Sequence, residues 1–126
     1  RFYDHTLDSC FQNKYIVGEE KANILFGSKI VFNQMHYAEI ESLNNRFFEA
    51  NGCGAFQISD YRPILRDVLP IEPEKVSFTS IDDAIDKMKY YLKNPHERYE
   101  IAKIIYEHFI NKYTYDELIK YILNNI

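Results

Sequence analysis

The chain has 126 residues, of which 46% are hydrophobic, and its formal net charge is −4. This length predicts one domain, residues 1–126, with a real core, and the hydrophobic fraction excludes a disordered chain. Acidic and basic residues are mixed along the sequence, so no basic stripe indicates nucleic acid binding. No apolar run approaches the ~20 residues that a membrane helix needs. Two cysteines are too few for a disulfide framework and suit a cytoplasmic location.

Strand-like and helix-like segments alternate over the first half of the chain. Residues 1–4 and 14–17 resemble strands, and the polar residues 5–13 between them resemble a loop. Residues 19–26 have apolar side chains at helical spacing, and residues 29–33 form an apolar, β-branched run that predicts a strand. This alternation predicts an α/β fold with a parallel sheet that is flanked by helices.

The segment 44–61 is the most informative part of the sequence. Leu43, Phe47 and Ala50 recur at i, i+4 and i+7, which predicts one apolar face of a helix over residues 45–51. Two glycines then end the helix, and residues 55–58 predict a short buried strand. We expect the strands 29–33 and 55–58 to be adjacent and parallel, with the helix crossing between them.

The polar face of this helix carries Asn45, Arg46 and Glu49. On spacing alone, the guanidinium and the carboxylate could be a solvated ion pair that contributes a few tenths of a kcal/mol. They could also belong to a binding site, because ligands of open α/β sheets bind outside the carboxyl ends of the strands. The loop 34–43, the start of the helix at Asn45 and the loop after Ile58 should converge there. A helix N-terminus suits phosphate, and Arg46 would add a guanidinium fork.

Three runs in this segment carry a family resemblance: Asn-x-Arg-x-Phe-Glu-Ala from Asn44, Cys-Gly-Ala-Phe from Cys53, and Asp60-Tyr61. Together they resemble the nucleotide-sugar-binding half of GT-B glycosyltransferases, in the group that contains the CgeB-like spore maturation proteins. The likeness extends from about residue 15 to residue 123. It implies a Rossmann-like C-terminal, donor-binding half with a helical tail. The nucleotide-sugar-binding residues that it implies are Glu49, Arg46, Asn44, Asn45, Asp60 and Tyr61.

The resemblance also assigns roles within this set. Glu49 would hold the ribose hydroxyls, and Glu41, which resembles the first member of the glutamate pair of retaining GT-B enzymes, would lie near the donor sugar. Ser42 stands where the CgeB-like pattern has glycine, and Glu41 could equally be a solvated loop acid. His36 in the same loop could donate a hydrogen bond or a proton to phosphate, or be a surface histidine. Glu41 and His36 are therefore the catalytic candidates.

Other features of the sequence bear on cofactors and completeness. No Cys/His/Asp spacing resembles a zinc or iron site. The resemblance implies a metal-independent enzyme that needs no cofactor and uses a nucleotide diphosphate sugar as its donor substrate. The absent initiator methionine and incomplete opening strand suggest a piece of a two-domain enzyme. We then expect an N-terminal acceptor-binding domain as partner, and an apolar surface near the carboxyl edge of the sheet or the last helix. The alternative is a non-catalytic interaction or regulatory module on the same scaffold.

The remaining predictions concern single residues and the helical second half. Cys53 is expected to be a buried packing residue rather than a nucleophile, and Asp60 could instead cap the turn that follows it. A short helix should run through residue 68, and residues 75–78 should form a last strand. Capping patterns and apolar stripes then predict three helices. The first starts at Ser80 with Asp83 and has one apolar stripe of Ile81, Ile85, Met88 and Leu92. The second starts at Asn94-Pro95 and has Ala102, Ile105 and Phe109 on its inner face. The third starts at Thr114 with Glu117 and carries Leu118, Ile122 and Leu123. Six tyrosines of this half are expected to be half-buried packing residues rather than a stacking platform. They are Tyr90, Tyr91, Tyr99, Tyr106, Tyr113 and Tyr115.

Overall fold

The computed structural model describes residues 15–38 and 40–126, so the strand and loop predicted for residues 1–13 lie outside the described residues. The helices are α1 (Gly18–Gly27), α2 (Asn45–Gly52), α3 (Leu65–Val68), α4 (Ile81–Lys93), α5 (Pro95–Lys112) and α6 (Tyr115–Asn124). The strands are β1 (Val31–Asn33), β2 (Gln57–Asp60) and β3 (Ser77–Phe78), and a short 3₁₀ turn spans Pro73–Lys75.

Within the described residues the strands form one parallel sheet in the order β1-β2-β3. Val31 pairs with Gln57, and Ser59 pairs with Ser77. Helix α2 connects β1 to β2 and contacts both strands. The predicted pair of adjacent, parallel strands with a helix between them is therefore confirmed. The domain is a Rossmann-like α/β half with a helical C-terminal tail.

Several predicted strand limits are wrong. Residues 15–17 form no strand, and Lys14 lies outside the described residues. The predicted strand 55–58 is instead β2, two residues later, because the N–H of Ala55 donates to the carbonyl of Ala50 at 3.0 Å and closes α2. The ladder begins only where the N–H of Val31 donates to the carbonyl of Phe56 at 2.8 Å. Similarly, β3 is only two residues long, since the 3₁₀ turn occupies the residues before it.

The core lies between the sheet, α2 and α5. The ring of Phe109 is 5.8 Å from that of Phe47 on α2, and Ile58 of β2 is completely buried. Ala102, Ile105 and Phe109 face inward as their spacing predicts. The packing of α5 on α2 fixes the helix that carries the motif segment.

Helix α4 is rotated relative to its prediction. Ile81, Ile85 and Leu92 are 57%, 38% and 51% exposed, whereas Ala84 and Tyr91 are buried. One residue corresponds to about 100° around a helix, so the neighbouring row of side chains faces the core. The contacts of Tyr91 explain why this face of α4 is buried. Its ring lies 4.6 Å from that of Phe56, and its hydroxyl donates to the carbonyl of Lys75 at 2.9 Å.

We expect Tyr91→Phe to lower the free energy of unfolding by about 0.5–1.5 kcal/mol at pH 7, because the carbonyl of Lys75 loses this hydrogen bond. Burial, with the nearby charge of Glu97, raises the pKa of Tyr91 to about 12. The stabilising effect of the neutral phenol is complete below the unfolded pKa and is lost as the pH rises through the folded pKa. Urea unfolding of both proteins from neutral pH upward should show the wild-type advantage shrinking and then reversing. A difference that stays constant through this range would contradict the assignment.

The predicted caps of α4 and α6 are confirmed. The hydroxyl of Ser80 accepts the N–H of Asp83 at 3.2 Å, and that of Thr114 accepts the N–H of Glu117 at 3.3 Å. Asn94 occupies the predicted position before Pro95 but makes no side-chain cap for α5. Its amide donates instead to the carbonyl of Tyr90 at 2.8 Å, so it terminates α4.

The last helix exposes its apolar face. All ten residues of α6 are described and none is buried; Leu118, Ile122 and Leu123 are 51%, 47% and 66% exposed. An exposed apolar surface at the last helix is thus confirmed. The prediction of half-buried tyrosines is confirmed for Tyr90 and Tyr106, which are 51% and 37% exposed, and for the partly buried Tyr113. It is wrong for Tyr91, which is buried, and for Tyr99 and Tyr115, which are 64% and 85% exposed because no described element covers their faces of the helices.

Candidate functional site

The carboxyl ends of β1 and β2 open into a pocket of about 590 Å³. Because the strands are parallel and adjacent, Asn33 and Asp60 end at the same edge of the sheet, and the loops that follow them meet there. The pocket is lined by Gln34, Met35, His36, Tyr37, Asp60 and Arg62. The convergence of the loop after β1 with the loop after β2 is therefore found as expected.

Asp60 joins the two loops. One oxygen of its carboxylate accepts the backbone N–H of Met35 at 2.8 Å, and the other pairs with Nη2 of Arg62 at 2.7 Å. Its side chain is only 19% exposed, so these contacts are poorly screened by water. Asp60 thus holds the two loops together and fixes the guanidinium of Arg62 at the pocket wall.

Arg62 is a functional candidate that sequence reasoning missed, because Arg62-Pro63 by itself indicates only a turn. Its side chain is 15% exposed, and Nη2 also donates to the carbonyl of His36 at 3.3 Å. Nε is buried and has no hydrogen-bond partner among residues 15–38 and 40–126. The feature of the sequence that could have identified Arg62 is its position. It is a basic residue that follows Asp60-Tyr61, directly after a buried strand.

The start of α2 is attached to the end of β1 by a pair of amide side chains. Asn33 and Asn44 exchange two hydrogen bonds of 3.0 Å, and Asn33 is fully buried. Oδ1 of Asn44 also accepts the N–H of Phe47 at 3.0 Å and so caps the helix. Asn44, predicted to bind the nucleotide sugar, therefore has a structural role that its sequence position did not reveal. The helix N-terminus is held at the carboxyl edge of the sheet.

The polar face of α2 is exposed as predicted. Asn45, Arg46 and Glu49 are all accessible to solvent, and none of them lines the pocket of about 590 Å³. Glu49 pairs with Lys21 of α1 at 2.6 Å, with the two side chains 44% and 38% exposed. The ion pair that spacing suggested within α2 is thus replaced by one between helices. A pair this exposed leaves the carboxylate accessible to a ligand.

The other three candidates differ in their contacts. Tyr61 accepts a hydrogen bond from Nε of Arg66 at 3.0 Å, and this bond, with the charge of Glu74, raises the pKa of Arg66. His36 lines the pocket; its Nδ1 accepts the N–H of Ala38 at 3.3 Å. Glu41 is exposed and lies outside the pocket lining.

A second cavity of about 610 Å³ lies at the opposite, amino edge of the sheet. It is bounded by the ends of α1 and α2 and by one face of α5. Cys53 lies here, partly buried, beside Gly54, whose φ of +76° requires glycine at the turn. Cys53 is therefore remote from the predicted site, which agrees with a packing role.

Metal-ligand clusters and membrane-spanning helices are both missing from the described part of the chain. Within residues 15–38 and 40–126, no three His, Cys, Asp or Glu side chains are grouped as metal ligands would be. No described helix has the length and apolar character needed to cross a membrane.

The fold is a Rossmann-like α/β half with a pocket at the carboxyl edge of its sheet. The family model described as glycosyl transferase-like matches residues 3–124, and the chain belongs to this family. Spore protein CgeB of Bacillus subtilis (strain 168) is 32% identical over 77 residues, which are 61% of this chain and 23% of that protein. The matched part is thus less than a quarter of the curated relative. No solved structure matches the chain.

Proposed function

We propose that the chain is the donor-binding half of a GT-B glycosyltransferase, and that a nucleotide diphosphate sugar binds at the carboxyl edge of its sheet. The observation that carries the proposal is the pocket that Asp60 assembles from the loops after β1 and β2. A capped helix start lies at the same edge. Membership of the glycosyl transferase-like family supports sugar transfer as the chemistry.

The roles proposed for the residues follow from their chemistry and from the resemblance. Glu49 accepts hydrogen bonds from the ribose hydroxyls, while Arg46, Asn45 and the free N–H groups at the start of α2 approach the diphosphate. Asn44 contributes by fixing that helix start. Tyr61 borders the site beside Asp60.

The reaction proposed for the intact enzyme is transfer of the sugar to an acceptor hydroxyl. Positive groups and N–H donors stabilise the charge that develops on the leaving diphosphate, without a bound metal. His36 and Glu41 are the candidates beside the sugar. An acceptor-binding domain N-terminal to this one completes the enzyme, so this chain alone binds donor weakly and turns over nothing.

Calorimetry with the 126-residue chain tests this proposal. UDP, GDP, ADP, CDP and dTDP are titrated separately, each with EDTA and with Mg²⁺, against the matching nucleosides. We expect one diphosphate to bind more tightly than its nucleoside and equally well under both conditions. If none binds at millimolar concentration, the donor assignment fails and a non-catalytic interaction module becomes the better account. Binding that requires Mg²⁺ would contradict metal independence.

A further inference from the structure

We propose that Arg62 binds the diphosphate of the donor in the pocket at the carboxyl edge. This inference rests on the proposed function and extends it to a residue outside the family motif described above. The phosphate would then lie between the loops after β1 and β2, in contact with a group that the fold already holds in place.

The first argument is placement. Arg62 is the only described residue lining the pocket whose charge is permanently positive. Its side chain is held on one side by Asp60 at 2.7 Å and by the carbonyl of His36 at 3.3 Å. Because these contacts fix an otherwise flexible side chain, less conformational entropy is lost when an anion binds.

The second argument is the supply of free donors. A guanidinium carries five N–H groups, and both protein contacts of Arg62 use Nη2. Nε is buried without a partner among the described residues, which is an unfavourable state for a donor. A phosphate offers several acceptor oxygens, and a guanidinium can bind two of them at once.

The third argument is that both carboxylate oxygens of Asp60 already have partners within the protein. Its two oxygens contact Met35 and Arg62, so the carboxylate is directed into the protein framework. The ion pair lowers the net charge of the pocket, which favours anions that fit the guanidinium geometry over anions in general.

Arg66 provides a matched control for the test. It lies four residues beyond Arg62, also pairs with an acid, Glu74, and contacts Tyr61. Its side chain is 60% exposed and does not line the pocket. Arg66→Gln therefore removes the same charge from the same region without removing a pocket donor.

The experiment is calorimetry of wild type, Arg62→Gln, Arg62→Lys, Arg66→Gln and Arg46→Gln with the nucleoside diphosphate that binds wild type, and with its nucleoside. Arg62→Gln should weaken diphosphate binding roughly ten- to a hundredfold and leave nucleoside binding unchanged. Arg62→Lys should give a smaller loss, since it keeps the charge but not the fork. Arg66→Gln should bind as wild type does.

A second measurement needs no folded variant. In wild type labelled with ¹⁵N-arginine, the Nε–H signal of Arg62 should shift when the diphosphate is added and stay fixed with the nucleoside. If the diphosphate binds wild type but neither this signal nor the affinity of a folded Arg62 variant changes, the inference is overturned while the proposed function stands. The inference is likewise overturned if Arg46→Gln weakens diphosphate binding while folded Arg62→Gln and Arg62→Lys bind as wild type does. If no diphosphate binds wild type, both fail.

Discussion

Glu49→Ala should weaken nucleoside diphosphate binding by roughly ten- to a hundredfold and leave the fold intact. The proposed hydrogen bonds from the ribose reach a charged carboxylate, and such a bond contributes about 1.5–3 kcal/mol, or one to two decades in affinity. The fold should persist because the pair of Glu49 with Lys21 is solvent-exposed. Exposed ion pairs contribute only about 0–1 kcal/mol.

Two controls separate a ligand contact from an ion pair. Glu107→Ala removes an exposed carboxylate from α5 and should leave binding unchanged. Lys21→Ala breaks the same pair as Glu49→Ala but leaves the carboxylate available, so it should bind the diphosphate nearly as wild type does. If a folded Glu49→Ala binds as tightly as wild type, or if Lys21→Ala reproduces its loss, Glu49 is only the partner of a surface lysine.

Asn44→Ala should lower the free energy of unfolding by about 2–4 kcal/mol. Loss of the helix cap costs about 1 kcal/mol, and leaving the buried amide of Asn33 unpaired costs a further ~1–3 kcal/mol. The effect should appear as a lower urea midpoint with an unchanged slope. Asn33 is fully buried, so its amide would be left without the partner that Asn44 supplies.

The neighbouring residue is the natural control. Asn45 is exposed, and Asn45→Ala should change stability by no more than about 0.5 kcal/mol. Asn44→Asp keeps an oxygen for the N–H of Phe47 and should fall between the two. If Asn44→Ala is as stable as wild type, the amide pair does not hold α2 to β1.

The parallel pairing of β1 with β2 could be predicted from the sequence, whereas the limits of the strands could not. The apolar run before Asn33 and the one after Gly54 each indicate a buried strand, and the helical spacing between them implies a crossover. Where a ladder starts depends on partners that are distant in sequence, as the contact of Val31 with Phe56 shows. The rotation of α4 has the same origin, because Tyr91 packs on Phe56, which is distant in sequence and cannot be inferred from the spacing of apolar residues within α4.

The candidate site, too, could be predicted from the sequence only in part. The sequence predicted that the loop after β1 and the loop after β2 would meet, and Asp60 now accounts for that meeting with two contacts. It did not predict that the side chain of Asn44 would be hydrogen-bonded to that of Asn33, or that Arg62 would line the pocket. Both facts depend on pairings between loops, and residue type alone does not specify them.

The most direct test of the account is to find where a donor nucleotide binds. Backbone ¹H–¹⁵N spectra of the ¹⁵N-labelled chain are recorded as the tightest-binding nucleoside diphosphate is added. The account predicts that the amides of residues 34–38, 44–49 and 60–62 shift together with one dissociation constant, while those around the cavity at the amino edge, residues 98–107, stay fixed. Shifts confined to residues 98–107, or no shifts at saturating diphosphate, would contradict a donor site at the carboxyl edge.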